Sequence, residues 1–482
     1  MRTRVEFGIA GFDQLIPGGI YAGSCYLVQG EPGTGKTTFG LQFIWEGVNR
    51  YGQNGVVVTL EEFPEQLYRD AASFGWDFKE LELQDKVRVL FTSGRVCASE
   101  RGLEVVRQAV KEVGAGRVYI DSVSNIKALF ERESDARNAI YRLVSALKGM
   151  RVTSLLATES AAGAVEEHIV DGIVRLGYEP WLTRGRIRTL EVVKSRGQYH
   201  RPGVHTFEIT GDGIEVYPRL EVVEDVAEDW GKERVSVGVG GLDRLLSGGV
   251  LRGSAMLVSG ATGVGKTVLG LQFLYSGASK GERGLFVSLE ERPTEIMRLA
   301  AGFGFDIENA VERGLLRFLY RVPADVDFNE LACAIKREFE RYEIRRMVFD
   351  SVSTLSVRIP KEHQFRNMVY LLVDYAKSCG VTTLLTDETH ELVGERRLTT
   401  RGISSVVDTA VIMRYVELNS RIERVLTVLK SRGTAHSRDI VFYRITNKGI
   451  EVGEVLGAVT GILQGAPVKS DIGERIIRKM RL

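Results

Sequence analysis

Two glycine-rich loops of the form G-x-x-x-x-G-K-[ST] constrain this chain more than anything else in it. They are Gly30-Glu-Pro-Gly-Thr-Gly35-Lys36-Thr37 and Gly260-Ala-Thr-Gly-Val-Gly265-Lys266-Thr267. Such a loop curls its backbone N–H groups around a phosphate, and a Cβ at the glycine positions would block that conformation. A buried strand must lead into the loop, and a helix must leave it with its positive end on the same anion. Both conditions are met in the sequence. Cys25-Tyr-Leu-Val-Gln and Ala255-Met-Leu-Val-Ser precede the loops, and Thr38-Phe-Gly-Leu-Gln-Phe-Ile and Val268-Leu-Gly-Leu-Gln-Phe-Leu follow with apolar residues at helical spacing. A glycine-rich turn with a stray lysine would need neither flank. The expected nucleotide-binding residues are Gly30, Gly33, Thr34, Gly35, Lys36, Thr37 and Thr38, and then Gly260, Gly263, Val264, Gly265, Lys266, Thr267 and Val268. Lys36 and Lys266 would bridge the β- and γ-phosphates of ATP, while Thr37 and Thr267 would bind Mg²⁺.

The loops belong to a repeat of domain size. Phe7-Gly-Ile-Ala-Gly-Phe-Asp aligns with Val237-Gly-Val-Gly-Gly-Leu-Asp, Val58-Thr-Leu-Glu-Glu with Val287-Ser-Leu-Glu-Glu, and Ser73-Phe-Gly-Trp-Asp with Gly302-Phe-Gly-Phe-Asp. Lys194-Ser-Arg-Gly aligns with Lys430-Ser-Arg-Gly near the end of each half. A chain of 482 residues exceeds what one hydrophobic core normally serves. Each half alternates short β runs with helical patterns, which predicts α/β domains whose mostly parallel sheets are flanked by helices. The expected boundaries are a first domain over 1–222, a charged linker over 223–233, a second domain over 234–455, and a tail over 456–482. The basic end of that tail is a candidate surface for a regulatory protein partner, although a solvated helix has the same composition.

Bulk properties exclude several classes. No apolar run is long enough to span a bilayer, and the N-terminus, Met1-Arg-Thr-Arg-Val-Glu-Phe-Gly, lacks an apolar signal core, so a cytoplasmic protein without membrane association is expected. Cys25, Cys97, Cys333 and Cys379 show no metal-site spacing and read as reduced thiols. Lys plus Arg number 64 against 63 Asp plus Glu, so the global field calls for no polyanionic partner.

Hydrolysis needs more than a phosphate loop. Val118-Tyr-Ile-Asp121 and Val348-Phe-Asp350 are apolar runs ending in aspartate, the pattern of a Walker B strand whose carboxylate would hold a Mg²⁺-bound water. Glu61-Glu62 and Glu290-Glu291 follow apolar strands, and one carboxylate of each pair would polarise the attacking water. Lys194 and Arg196, with Lys430 and Arg432, follow strands far from the loops. If the halves assemble in rings, these cations would act on a neighbour's γ-phosphate. The residues alone also fit an ordinary basic hairpin.

Together these features resemble the KaiC family of RecA-type ATPases in its double-domain form, over roughly residues 7–465. The marks are the Gly-x-x-Gly-[Phe/Leu]-Asp motif, the phosphate loop, the glutamate pair, Phe-Gly-[Trp/Phe]-Asp, the Walker B aspartate and the Lys-x-Arg-Gly-x-x-His endings at His200 and His436. The resemblance implies two tandem RecA-like P-loop domains, stacked hexameric rings, ATP at subunit interfaces, slow hydrolysis and, in clock members, autophosphorylation in the second ring. Ser404-Ser405 matches the adjacent hydroxyl pair of that family's phosphosite, and Thr399 a nearby threonine. The corresponding first-half residues are Glu167 and His168, so the acceptors occur only in the second half.

Two functional classes follow. The first is a hexameric signalling or timing ATPase with serine/threonine autokinase activity. The second is a RecA-type DNA-dependent recombinase or helicase. The near-zero net charge, and the lack of any basic loop with interleaved aromatics for stacking single strands, argue against nucleic acid.

Overall fold

The structure, a computed structural model, describes residues 3–159, 165–181, 185–221, 233–359, 361–389, 400–418 and 420–457, together with 459–460 and 468–469. The chain divides into two compact units, Met1–Arg219 and Leu220–Leu482. The linker expected at 223–233 lies outside the described residues except for Glu233, as do Thr399 and most of the tail.

Each unit is built on one nine-stranded sheet. In the first unit the strands are β1 (Cys25–Gln29), β2 (Gly55–Thr59), β3 (Val87–Phe91), β4 (Arg117–Asp121), β5 (Thr153–Thr158), β6 (Gly172–Trp181), β7 (Gly185–Ser195), β8 (His205–Thr210) and β9 (Gly213–Tyr217). Their spatial order is β9-β8-β7-β6-β1-β5-β4-β2-β3. The strands from β3 to β6 in that order run parallel, and β7, β8 and β9 add an antiparallel extension. The second unit has β10 (Ala255–Gly260), β11 (Gly284–Ser288), β12 (Leu316–Tyr320), β13 (Arg346–Asp350), β14 (Thr382–Glu388), β15 (Thr409–Leu418), β16 (Arg421–Ser431), β17 (Ile440–Thr446) and β18 (Gly449–Val455). Their order, β18-β17-β16-β15-β10-β14-β13-β11-β12, reproduces the first unit strand for strand. The expected α/β architecture of mostly parallel sheets flanked by helices is therefore present twice.

The central strands are buried along their whole length, as in Gly55-Val-Val-Val-Thr59. Such unbroken apolar runs suit a sheet covered by helices on both faces. The covering helices include α1 (Lys36–Tyr51), α2 (Glu100–Val113) and α3 (Glu133–Gly149) in the first unit, and α4 (Lys266–Ala278), α5 (Phe328–Tyr342) and α6 (Glu362–Ser378) in the second.

The repeated Gly-Leu-Gln-Phe after each phosphate loop is explained by packing. A Cβ on Gly40 would come within 2.1 Å of the Tyr119 ring, so only glycine lets α1 lie directly on β4. Gln42 is buried, and its Oε1 accepts from the Ile214 N–H at 2.7 Å, tying α1 to β9. Gln272 does the same for Ile450 at 2.7 Å. Both phosphate loops are thereby fixed to their antiparallel extensions.

A buried arginine opens each Walker B strand. Arg346 donates to Glu282 at 2.6 Å and to the carbonyls of Ser236 and Phe273 at 2.8 and 2.9 Å. Arg117 donates to the carbonyls of Phe43 and Glu6, each at 2.8 Å, but finds Gln53 where the second unit has Glu282. Burial holds the Arg117 guanidinium down to about 10.

One buried histidine gives the units different pH responses. His205, 1% exposed, accepts from the Arg219 N–H through Nδ1 at 3.1 Å, which requires a neutral ring at that nitrogen. Burial and the Arg219 charge lower it from 6.5 to about 4. The fold therefore binds this proton less readily than the unfolded chain. Its contribution is complete above pH 6.5 and fades as the pH falls toward 4, by at most about 3 kcal/mol. The counterpart in β17, Val441, cannot titrate. We expect His205→Val to flatten the first unit's stability between pH 6.5 and 4, measured by denaturant unfolding. An unchanged slope would place the titration elsewhere.

Candidate functional site

Strand register gathers the site along one sheet edge. Gln29 at the end of β1 pairs with Thr158, and Thr59 at the end of β2 pairs with Asp121. The residues just beyond those ends are Gly30, Glu159, and Glu61 with Glu62. The second unit brings Gly260, Glu388, Asp350 and Glu290 with Glu291 to the equivalent edge through the pairs Gly260–Glu388 and Ser288–Asp350.

The phosphate loops have the conformation that their glycines allow. Gly35 precedes α1 at φ 99° and Gly265 precedes α4 at φ 103°, both in the left-handed region. Lys36 crosses the loop and donates to the carbonyls of Gly30 and Glu31 at 2.9 and 3.0 Å. Lys266 does so to Gly260 and Ala261 at 2.8 and 2.9 Å. Burial pushes the Lys266 ammonium down from its ordinary value, against the carboxylates of Glu388, Asp350 and Glu290. Thr34 closes the first loop by donating to the Glu31 carbonyl at 2.8 Å. Val264 is buried, and its carbonyl accepts from the Tyr443 hydroxyl at 2.7 Å. Val268 is also buried, so it can offer a phosphate only its backbone N–H, while Thr38 is partly exposed in the first turn of α1.

The loop hydroxyl and the strand-end aspartate meet in both units. Thr37 Oγ1 donates to Asp121 at 2.7 Å, and Thr267 Oγ1 donates to Asp350 at 2.8 Å. Asp121 also accepts from the Tyr119 hydroxyl at 2.8 Å, and Asp350 from Thr386. Burial raises both carboxyls above their ordinary range, outweighing the hydroxyl donors and the loop lysines. Paired hard oxygen donors beside a phosphate loop, with a buried carboxylate short of positive charge, suit a divalent cation such as Mg²⁺.

The glutamate pairs lie in a bend two residues past their strands, not at the strand ends themselves. Glu61 accepts from Ser122 at 3.0 Å, and Glu290 accepts from Ser351 at 2.6 Å and Thr354 at 2.8 Å. Glu62 and Glu291 are raised by burial and then by the neighbouring aspartates, Asp121 and Asp350. The hydroxyl props Ser122, Ser351 and Thr354, and the supports Tyr119 and Thr386, were not singled out in the sequence. The one available signal was the Asp-Ser that ends both Walker B runs. The second unit adds a buried Asp387 that accepts from Ser259 at 3.3 Å, where the first unit has Thr158 and Gln29.

The Lys-x-Arg pairs do not join this edge. The Arg196 N–H donates to the Asp171 carbonyl, and the Asp171 N–H to that of Cys25, which puts Arg196 level with the start of β1. At about 3.3 Å per residue, Arg196 lies roughly 16 Å along the strands from Gly30. Lys194 points at the carbonyls of Glu167 and Val170, at 2.6 and 2.9 Å. Arg432 and Lys430 repeat the arrangement, donating to the carbonyls of Ser405 at 2.8 Å and Val407 at 2.7 Å. Both arginines are exposed. Ser404 and Ser405 lie in the 3-10 turn Thr400–Ser405 beside Arg432, at the edge away from Gly260. Glu167 and His168 occupy the matching turn in the first unit.

The fold and site define a tandem P-loop nucleotide-binding ATPase. The family model "ATPase: KaiC" matches residues 5–221 and 235–456. The circadian clock oscillator protein KaiC of Thermostichus vulcanus is 34% identical over 97% of this chain and 92% of its own length. The circadian clock oscillator protein KaiC 1 of Synechocystis sp. is 33% identical over 98% and 93%. The corresponding protein of Nostoc sp. is 32% identical over 99% and 95%. The chain belongs to the KaiC family and is a KaiC-like ATPase. Among the described residues no helix is long and apolar enough to cross a membrane.

Proposed function

We propose that both units bind ATP with Mg²⁺ and hydrolyse it within a homohexamer, and that the second unit also transfers phosphate to its own serines. The carrying observation is the doubled site: loop hydroxyl on strand-end aspartate, with a glutamate pair in the bend after the neighbouring strand at the same edge. Lys36 and Lys266 neutralise the β- and γ-phosphates. Thr37 with Asp121, and Thr267 with Asp350, hold the metal, which supplies further charge neutralisation at the phosphoryl oxygens. A glutamate of each pair takes the proton of the attacking water as its oxygen bonds to the γ-phosphorus and ADP leaves.

Arg196, Lys194, Arg432 and Lys430 complete a neighbouring subunit's site. Their place at the far sheet edge supports this, because each pair lies away from the phosphate loop of its own unit. The same edge carries Ser404 and Ser405, so autophosphorylation also proceeds across an interface: the serine oxygen bonds to a neighbour's γ-phosphorus, ADP leaves, and the Glu290 or Glu291 carboxylate accepts the hydroxyl proton. The basic tail, 456–482, is the proposed contact for a regulatory protein, in a cytoplasmic setting. That the relatives are named as clock oscillator proteins favours a timing or signalling output.

One experiment separates these activities. Incubation with ATP and Mg²⁺, followed by phosphate release and intact mass on the same sample, should show ADP formation and one or two added phosphates. Lys266→Ala should remove the phosphoserine at Ser404 and Ser405, and Lys36→Ala should spare it. Unmodified protein at full turnover would leave an ATPase without kinase activity.

A further inference from the structure

The two adjacent serines are not equivalent. Ser405 lines a cavity of about 450 Å³ and Ser404 does not. The cavity is walled by α6 through His363, Arg366, Asn367, Tyr370, Asp374 and Lys377, and by Ser405, Val406 and Arg432 opposite. Arg432 is held by its hydrogen bond to the Ser405 carbonyl at 2.8 Å. Lys377 is engaged by Asp408 at 2.7 Å, so that pair is close to neutral. Asp374 offsets one more cation, with one buried carboxylate oxygen lacking a hydrogen-bond partner among the described residues. The surplus is one guanidinium charge, with Asn367 and Tyr370 as neutral donors. The first unit repeats part of this wall as Arg137, Asn138, Tyr141 and Lys148, but faces it with Glu167 and His168 and has no hydroxyl to modify.

We propose that this cavity is a phosphoserine-binding site that holds, in the same chain, a phosphoryl group carried by Ser405. The inference rests on Ser405 being an acceptor, as proposed above. Arg366 and Arg432 are the charged ligands, since a planar guanidinium binds phosphate oxygens in a fork. Arg366 is exposed on α6, and Ser405 is exposed on its turn, so the added group meets no core to disrupt. Ser404 is not among the residues that line this cavity, so a phosphate there is not placed against Arg366 in the same way.

The test does not depend on self-phosphorylation. Phosphoserine is installed at 405 during translation, and its ³¹P resonance is titrated in folded protein and in the same protein unfolded in urea. The protein carries His363→Gln, which removes the cavity's imidazole. An unconstrained phosphoserine has a second pKa of about 6. The folded form should titrate roughly one unit lower, because the arginines favour the dianion. Arg366→Ala should return at least half of that difference, and Arg366→Lys should retain part of it. Equal values folded and unfolded, or a depression untouched by Arg366→Ala, would overturn the site. Absence of phosphate after ATP incubation of the unmodified protein would count against the kinase reading alone.

Discussion

Changing Glu61, Glu62, Glu290 and Glu291 together to glutamine should cut turnover steeply and leave nucleotide bound. Glutamine keeps the volume of each side chain and can still accept from Ser122, Ser351 and Thr354 through its amide oxygen, so the bend should persist. What it loses is the ability to take a proton. General-base assistance contributes roughly 10²–10⁴-fold, so phosphate release should fall by that factor. Binding should hold, because Lys36, Lys266 and the loop backbones are untouched. A fluorescent nucleotide measures the binding, and a coupled phosphate assay the rate. Wild-type turnover in the quadruple variant would remove the glutamates from the chemistry. Silencing one pair at a time then assigns the remaining rate to the other unit.

The site was more legible than its supports, for physical reasons. Phosphate binding demands glycines, a lysine and a hydroxyl at fixed spacing, so it leaves a local pattern. Asp121 and the glutamates end or follow apolar strands, and their parallel appearance in two halves made them stand out. The Gly-x-x-Gly-[Phe/Leu]-Asp motif is equally recognisable, yet its aspartate is structural. Asp13 accepts from the Phe7 and Gly8 N–H groups, each at 2.8 Å, and burial raises it to about 6. Asp243 accepts from Val237 at 2.8 Å and from Ser236 at 2.6 Å. The Phe-Gly-[Trp/Phe]-Asp marks likewise end in helix caps, Asp77 on Glu80 at 3.0 Å and Asp306 on Asn309 at 3.2 Å. Such roles depend on contacts the chain makes within a few residues, and composition does not reveal which residue will close the turn.

Other features needed the third dimension. Nothing in the local sequence marks Arg117 and Arg346 as buried, yet each is, because its partners come from segments about 60 to 110 residues away. Ser405 and Arg366 are 39 positions apart with nothing periodic between them, so their shared cavity was invisible. The far-edge position of Arg196 and Arg432 also emerged only from strand register.

That position leads to the second large effect, which concerns interfaces. Arg196→Ala with Arg432→Ala should lower turnover by roughly 10³–10⁵-fold, the range for arginines that act across a contact. Folding should be spared, since both side chains are exposed and among the described residues each gives up one hydrogen bond to a carbonyl, His168 for Arg196 and Ser405 for Arg432. A cis role and a trans role predict the same loss, so the loss alone decides nothing. Mixing decides it. Subunits carrying Lys36→Ala and Lys266→Ala have dead phosphate loops but intact arginines. Combined with the arginine-less subunits, they form interfaces in which a working loop on one side meets a working arginine on the other. Activity should then rise well above the sum of the two separate preparations and reach its maximum near equal proportions. It should also require assembly, so light scattering should show a larger particle with ATP and Mg²⁺ whenever the mixture is active. A mixture that stays at the sum of its parts while assembling normally would confine the arginines to their own chains. Each arginine lies away from its own unit's phosphate loop, and the loss in the double variant would then need a cause other than contact with a neighbour's γ-phosphate.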